Sequence, residues 1–218
     1  MKLFIKLSVF TLLTIATASS FAYFFWYKAN AGRPATSKRF KSVNIDRNDA
    51  NFVRLKEKAI SISDFARENN YNSTRCFLVD MGIASGSKRF FVYNFQKDSI
   101  EAAGLVTHGT GSHKSSEGLT FSNVPNSNTT SVGRYRVGKS YYGKFGLAYK
   151  LYGLDETNDN AFDRFVVLHS HSCVPTGEVS PQPICESRGC PTVAPSFLNV
   201  LKKYIDNSSR PILLWIYY

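Results

Sequence analysis

The chain has 218 residues, of which 43% are hydrophobic and 14% aromatic, which is enough to bury the core of one globular domain. Lysine and arginine together number 27 against 16 acidic residues, and the net charge of +11 favours anionic surroundings such as a membrane surface or a cell-wall polyanion. The positive charges are dispersed and form no run interleaved with aromatic residues, so a nucleic-acid partner is not expected.

The N-terminal segment predicts export. The stretch from Leu7 to Tyr27 contains no charged residue, and its length lies between that of a signal peptide and that of a membrane-spanning helix. Residues 24–27 are all aromatic, as is typical of a membrane interface. We therefore interpret residues 1–28 as a signal peptide or, preferably, an uncleaved signal anchor that contacts the membrane, although the basic residues that follow weaken this orientation.

A tether and one helix are predicted next. Residues 29–48 are polar and basic and contain Gly32 and Pro34, which favours a tether. Apolar residues then recur at helical spacing, so the sequence predicts an amphipathic helix over about 49–70 at the start of a domain that spans 49–218.

The rest of this domain is predicted to be rich in strands. After Tyr71 the apolar period shortens to two, which is typical of strands with one buried face. The predicted strands are 76–81, 89–95, 100–108, 146–152, 164–169 and 211–217, with a helix at 195–204. The stretch 109–133, rich in Gly, Ser, Asn and Thr, is much longer than an ordinary connection and indicates either disorder or a working loop.

The segment CESRGCP, residues 185–191, suggests cysteine chemistry. A cysteine is nucleophilic only where a base or a positive environment favours its thiolate. His169 ends the apolar run FVVLHSH, where a strand would present it at the edge of a sheet. Gly189 permits a tight turn and Pro191 fixes the following backbone, so Cys190 and its amide are candidates for a nucleophile and an oxyanion site.

Three other interpretations stay open. A free cysteine is often only a small buried hydrophobe, as we expect for Cys76, and a single histidine is often structural. The atoms of a tetrahedral zinc site are present, although at unusual spacing, in His169, His171, Cys185 and Cys190. In an oxidising compartment, a disulfide between Cys173 and Cys185 would leave Cys190 as a free thiol.

Seven motifs taken together resemble a known family. In chain order they are CFLVDM, SGSKRFFVY, HGTGS, FSN, YYGKFGLAYKLYGLD, NDNAFDRFVVLHS and SRGCP. This ordered set, from about Tyr71 to Tyr218, is similar to the murein L,D-transpeptidase catalytic domain family, the type two branch of YkuD-like proteins. The resemblance implies a mainly β catalytic domain, a β-sandwich or barrel preceded here by the N-terminal hydrophobic helix, that needs no cofactor or metal.

The resemblance also implies roles for individual residues. Cys190 would be the nucleophile and His169 its base, with the Gly189 amide at the oxyanion and the Ser170 carbonyl orienting the imidazole. Substrate contacts would come from Ser187, Arg188, His108, Gly109, Ser122 and Asn123. The chain departs from the wider superfamily at Arg188, where a histidine is usual, and after Cys190, where an arginine or asparagine is usual.

Other motif residues receive plainer interpretations. His171 is expected to be a surface residue at the rim of the pocket, and residues 158–160 a loop with a structural role. Tyr141, Tyr142 and Phe145 are expected to serve packing rather than sugar stacking.

The implied activity is acyl transfer on peptidoglycan stem peptides through a cysteine thioester, in the envelope of a bacterial cell. Trimming of the stems by an L,D-carboxypeptidase, or a cell-wall-binding domain without activity, are the alternatives.

Overall fold

The computed structural model describes residues 19–25, 49–112, 114–115 and 118–218. Residues 19–25 belong to one compact unit of the chain, and the other ranges belong to a second unit. In the first unit, residues 19–25 are helical and present exposed aromatic side chains (α1). The rest of the predicted N-terminal hydrophobic helix and the predicted tether lie outside the described residues. Within the described ranges, no helix combines the length and the apolar character that a membrane crossing requires.

The second unit is a β-rich domain with two α-helices in its described part. The helices are α2, Ala50–Glu68, and α3, Pro195–Asp206. The strands are β1, Arg75–Asp80; β2, Phe90–Asn94; β3, Ser99–Gly104; β4, Lys114–Ser115; β5, Gly118–Leu119; β6, Gly133–Gly143; β7, Gly146–Gly153; β8, Val167–Ser170; β9, Thr192–Val193; and β10, Leu213–Tyr217.

Eight of these strands form one sheet in the order β3-β2-β1-β10-β6-β7-β8-β9, and β4 and β5 form a separate hairpin. The pairs β1/β10 and β8/β9 are parallel, and the other neighbours are antiparallel. Beyond β3, Val106 bridges Val193 of β9, and the Thr107 amide donates to the Thr192 carbonyl over 2.9 Å. The two edges of the sheet therefore meet at β9, so the sheet closes on itself.

The sheet is covered on both faces around β1. Leu55 and Ile62 of α2 pack with Cys76 of β1 on one face, whereas Phe77 packs with Phe197 of α3 on the other. Because neighbouring residues of a strand point to opposite faces, a strand covered on both sides needs a continuous apolar run. This explains the sequence of β1, in which every residue after Arg75 is buried.

Most predicted elements are observed near their predicted positions, but one long strand was missed. β6 follows the stretch 109–133, and its distal half, from Lys139 to Gly143, is exposed along its whole length. That half has no apolar alternation for a pattern to detect. In addition, the strand predicted from residue 164 begins at Val167, since Phe165 occupies a turn with a φ of 56°.

The stretch 109–133 is structured wherever it is described. It contains the hairpin of β4 and β5, and Ser122 N donates to Thr130 O over 3.2 Å. Disorder, one of the two predicted alternatives, is therefore wrong for residues 118–133.

Candidate active site

The sheet pairing brings His169 and Cys190 to one cavity. His169 of β8 lies opposite Thr192 of β9, two residues after Cys190. Both side chains line a cavity of about 780 Å³, whose wall also includes Ser187, Arg188 and Phe145. Residues that are 21 positions apart in the sequence are thus neighbours because β8 and β9 are parallel and adjacent.

The turn before Cys190 needs its glycine. Gly189 has a φ of 106°, and a Cβ atom there would lie 2.5 Å from the carbonyl oxygen of Thr129. A side chain would therefore meet both backbone strain and a clash. The Ser187 hydroxyl closes the turn, because it donates to Cys190 O over 2.7 Å and accepts from Gly189 N over 3.1 Å.

The Cys190 thiol is free and partly buried. Its Sγ lies 3.7 Å from the carbonyl oxygen of Phe165, which is a weak thiol hydrogen bond. Burial raises the pKa of the Cys190 thiol, whereas a backbone hydrogen bond from Val167 and the positive charge of Arg164 lower it. Because burial dominates, the neutral thiol is the resting form at neutral pH.

The His169 imidazole is buried and bonded at both nitrogens. Nδ1 lies 3.2 Å from the Ser170 carbonyl oxygen, which can only accept, so Nδ1 bears the proton. Nε2 then accepts from the Thr192 hydroxyl over 3.0 Å. Burial is the largest influence on the pKa of His169 and lowers it, so the ring is a neutral base at neutral pH. The structure thus contains a neutral thiol and a neutral imidazole rather than a preformed ion pair.

Phe145 forms a wall of this cavity. Its ring stacks on the His169 ring, with centroids 4.7 Å apart and planes inclined by 21°, although its own side chain is 52% exposed. Tyr141 and Tyr142 on the same hairpin are also exposed. The predicted packing role is therefore confirmed for Phe145, which packs on His169, although all three aromatics lie outside the core at the exposed end of the β6–β7 hairpin.

Arg164 was missed by the sequence interpretation. Its guanidinium donates to Ser122 O and Thr129 O, each over 2.8 Å, and also contacts the hydroxyls of Ser127 and Ser131. One side chain thus fixes the loop 122–131 against the Gly189 turn. In the sequence Arg164 occurs only as part of the motif NDNAFDRF. A partly exposed arginine next to a strand has no sequence pattern that would identify it as a site residue.

Four predicted substrate-binding residues lie outside this cavity lining. The carbonyl of Ser122 accepts from Arg164, and the Asn123 amide donates to Glu156 O over 3.1 Å. Gly109 pairs with Ser187, and a Cβ atom on it would lie 2.1 Å from Asn128 O. These contacts hold the loops around the cavity, and residues 158–160 act similarly, since Asn158 is fully buried and donates to Arg134 O.

His108, the fourth of these residues, borders a second cavity of about 470 Å³. Its Nδ1 lies 3.0 Å from the Arg89 guanidinium and its Nε2 lies 3.4 Å from Glu186 Oε1. Glu186 lines both cavities. The remaining predicted residues Ser187 and Arg188 line the first cavity, and His171 stands exposed at its rim.

A disulfide bond excludes the predicted alternative of a zinc site. Cys173 and Cys185 form a disulfide with a Cα–Cα distance of 6.1 Å, which removes one of the four candidate zinc ligands. Among the residues that the structure describes, no cluster of histidine, cysteine or acidic side chains could hold a metal ion. Cys76 is fully buried, as expected of a core residue.

Comparisons with known proteins give one extensive match. The model of the L,D-transpeptidase catalytic domain matches residues 18–217. No curated protein matches the chain.

Several solved structures show distant likeness. An L,D-transpeptidase from Xylanimonas cellulosilytica has a TM-score of 0.38 and 16% identity, over 71% of this chain and 68% of that one. The helical cell shape determining protein from Campylobacter jejuni has a TM-score of 0.43 and 11% identity, over 66% of this chain and 46% of that one. An L,D-transpeptidase from Mycobacterium smegmatis has a TM-score of 0.38 and 12% identity, over 66% and 59%.

These structural likenesses are too weak to support an argument about activity. The family match rests on the sequence and covers nearly the whole chain, including both His169 and Cys190. The chain belongs to the L,D-transpeptidase catalytic domain family.

Proposed function

We propose that this protein is a cysteine-dependent L,D-transpeptidase that transfers acyl groups between peptidoglycan stem peptides. The observation that supports it most strongly is a free thiol and a neutral imidazole in the wall of one cavity, in a chain of this family. The nucleophile is Cys190, and the base is His169.

The first chemical step is thioester formation. The Thr192 hydroxyl releases Nε2 of His169, which takes the proton of the Cys190 thiol. The resulting thiolate attacks a carbonyl of the donor stem, and a sulfur–carbon bond forms as the bond to the terminal D-amino acid breaks. The imidazolium returns its proton to the leaving amine, so the enzyme is left as a neutral thioester.

The second step restores the enzyme. An amine of another stem attacks the thioester carbonyl, His169 removes the excess proton, and the thiolate leaves and is reprotonated. The product is a cross-link. The same thioester with water as acceptor gives a trimmed stem, which is the carboxypeptidase reaction.

The surroundings of the pair support these steps. The Ser170 carbonyl fixes the tautomer of His169, since it can accept only from a protonated Nδ1. The positive charge of Arg164 lowers the pKa of Cys190 and so favours the thiolate. The amide of Cys190 at the turn is the proposed donor to the oxyanion, worth about 3 kcal/mol in well-studied enzymes. The Gly189 amide, which was predicted for this role, donates instead to Ser187 Oγ over 3.1 Å.

We also propose that the protein works in the cell envelope. Peptidoglycan lies outside the cytoplasmic membrane, and the uncharged segment Leu7–Tyr27 has the composition of an export signal. The disulfide between Cys173 and Cys185 fits an oxidising compartment. In this proposal residues 1–28 direct export, either as a cleaved signal or as an anchor, and residues 29–48 act as a tether.

Mass spectrometry of muropeptides tests the proposal. Purified protein is incubated with a tetrapeptide donor stem and an acceptor stem, with Cys190→Ala as the control. We expect cross-linked dimers and release of the terminal D-amino acid with the native protein, and neither product with the control. Trimmed monomers without dimers would indicate the carboxypeptidase, and no product with either protein would contradict the proposal.

A further inference from the structure

A row of aromatic and basic side chains, three exposed and two partly buried, crosses the β6–β7 hairpin and takes no part in the chemistry described above. We call it the aromatic strip and define it as Tyr141, Lys150, Phe162, Tyr152 and Arg136. Lys150 Nζ lies 6.0 Å from the Tyr141 ring centre and 5.5 Å from that of Phe162. Tyr152 stacks on Phe162 at 5.3 Å, and the Arg136 guanidinium lies 3.9 Å above Tyr152.

The aromatic strip differs from scattered surface apolar residues. Single exposed hydrophobic residues are normal, but a continuous row of exposed and partly buried rings indicates a binding surface. Phe162 is 48% exposed although its ring already stacks on Tyr152. Three residues later, Phe165 is 82% exposed in a turn of positive φ, and its carbonyl is the one that contacts the Cys190 thiol.

The aromatic strip and the catalytic cavity share one face of the sheet. Tyr141 pairs with Ala148, and Ala148 pairs with His169, so the three side chains are neighbours on the same face. Lys150 follows Ala148 by two residues and therefore points to that face as well. Phe145, in the turn of the same hairpin, stacks directly on His169. The strip is thus continuous with the wall of the cavity.

We propose that the aromatic strip binds the glycan strand of polymeric peptidoglycan. The inference rests on the proposed function, because a stem peptide in the Cys190 cavity is attached to such a strand. The apolar face of a sugar ring packs against an exposed aromatic ring, and the tyrosine hydroxyls supply hydrogen bonds to sugar hydroxyls. Lys150 and Arg136 complement the carboxylates of neighbouring stems, and the strip contains no acidic residue.

Successive side chains of the hairpin point to opposite faces, so Tyr142 is a matched control for Tyr141. Tyr142 is the next residue after Tyr141 and is 83% exposed, but it pairs with Leu147 and points to the opposite face. The test is sedimentation of the purified 218-residue chain with insoluble peptidoglycan, with Cys190→Ala in every protein so that no turnover occurs. We expect Tyr141→Ala and Phe162→Ala to bind about fivefold more weakly than Cys190→Ala alone. Tyr142→Ala should bind equally well.

Two further measurements identify the bound polymer and separate this inference from the proposed function. A chito-oligosaccharide tetramer should release the bound protein, and release by single-stranded DNA but not by the sugar would overturn the inference in favour of base stacking. Unchanged sedimentation of both strip variants, or an equal loss in Tyr142→Ala, would also overturn it. With Cys190 intact, strip variants should turn over a free tetrapeptide normally. If no protein turns over the tetrapeptide but sedimentation still depends on the strip, the proposed function fails and the glycan inference stands.

Discussion

Two histidines of this domain are each bonded at both ring nitrogens, but their partners give them opposite chemistry. His169 lies between two neutral oxygens, the Ser170 carbonyl and the Thr192 hydroxyl. His108 lies between two ionisable side chains, Arg89 and Glu186. A guanidinium can only donate, so it occupies the lone pair at Nδ1 of His108 and leaves Nε2 as a proton donor towards the carboxylate.

The comparison gives a physical reason why the proposed base is His169 and not His108. A hydroxyl rotates freely and can leave Nε2 of His169 when substrate enters, because it has another acceptor, Cys190 O, at 3.4 Å. The basic nitrogen of His108 faces a fully buried guanidinium that also donates to Val106 O over 2.8 Å and cannot rotate away. The contacts of His169 are therefore compatible with the proposed proton transfer, whereas those of His108 hold its surroundings in place.

The largest expected effect is a loss of activity that differs between variants of His169 and His108. His169→Ala should lower turnover of the donor stem by about 10²–10⁴-fold, the usual contribution of a general base. His108→Gln should lose less activity, because its ring offers no free basic nitrogen. Rates of D-amino acid release check both variants, with thermal unfolding to show that they are folded. A larger loss in His108→Gln than in His169→Ala would contradict the assignment.

The next effect is on stability and probes the His108 region. Burial lowers the pKa of Arg89 to about 10, with Asp80 acting against this, so the side chain remains charged at neutral pH. Arg89→Met would leave the Val106 and Ile83 carbonyls and Nδ1 of His108 without this donor. We expect the free energy of unfolding to fall by about 3 kcal/mol, measured by urea denaturation.

An exposed arginine supplies the control for this substitution. Arg210→Met changes a side chain at the surface and should alter the free energy of unfolding by less than about 0.5 kcal/mol. Equal stability of Arg89→Met and the native protein would show that the buried guanidinium does not hold this region together.

A smaller effect concerns the acidity of the Cys190 thiol, the proposed nucleophile. The charge of Arg164 lowers the pKa of Cys190, so Arg164→Gln should shift the pH dependence of thiol alkylation to higher pH. At pH 8 the variant should therefore react more slowly with iodoacetamide than the native protein. Arg164→Lys, which keeps the charge, should restore part of the shift.

Arg188 provides the matched control for this prediction. It lines the same cavity two residues before Cys190, but its charge is not among the influences on the thiol. Arg188→Gln should leave the alkylation profile nearly unchanged. A shift in Arg188→Gln as large as that in Arg164→Gln would assign the effect to general charge in the cavity.

The sequence predicted the sheet best where both faces are covered. β1 and β10 contain continuous apolar runs, and their predicted positions agree with the structure within two residues. β6 was missed because its exposed half reads as an irregular polar segment. Whether an aromatic side chain is covered depends on the layer above it, which a single strand does not encode.

The candidate site was predicted only in part. The strand end at His169 and the turn before Cys190 suggested the two groups, and the family resemblance paired them. The free thiol was expected once Cys173 pairs with Cys185. The contacts of Arg164 with the 122–131 loop depend on residues up to 42 positions away, and no local pattern gives such a contact. The same holds for Arg89 and His108, since the pairing of β2 with β3 brings them together.

The central claim is that Cys190 becomes acylated by the donor stem. Intact-protein mass spectrometry after brief exposure to a tetrapeptide donor measures this directly, with peptide mapping to locate the adduct. The account predicts a thioester on the peptide that contains Cys190, sensitive to hydroxylamine and absent from Cys190→Ala. Release of the terminal D-amino acid by Cys190→Ala at the native rate, or an adduct on another residue, would contradict it.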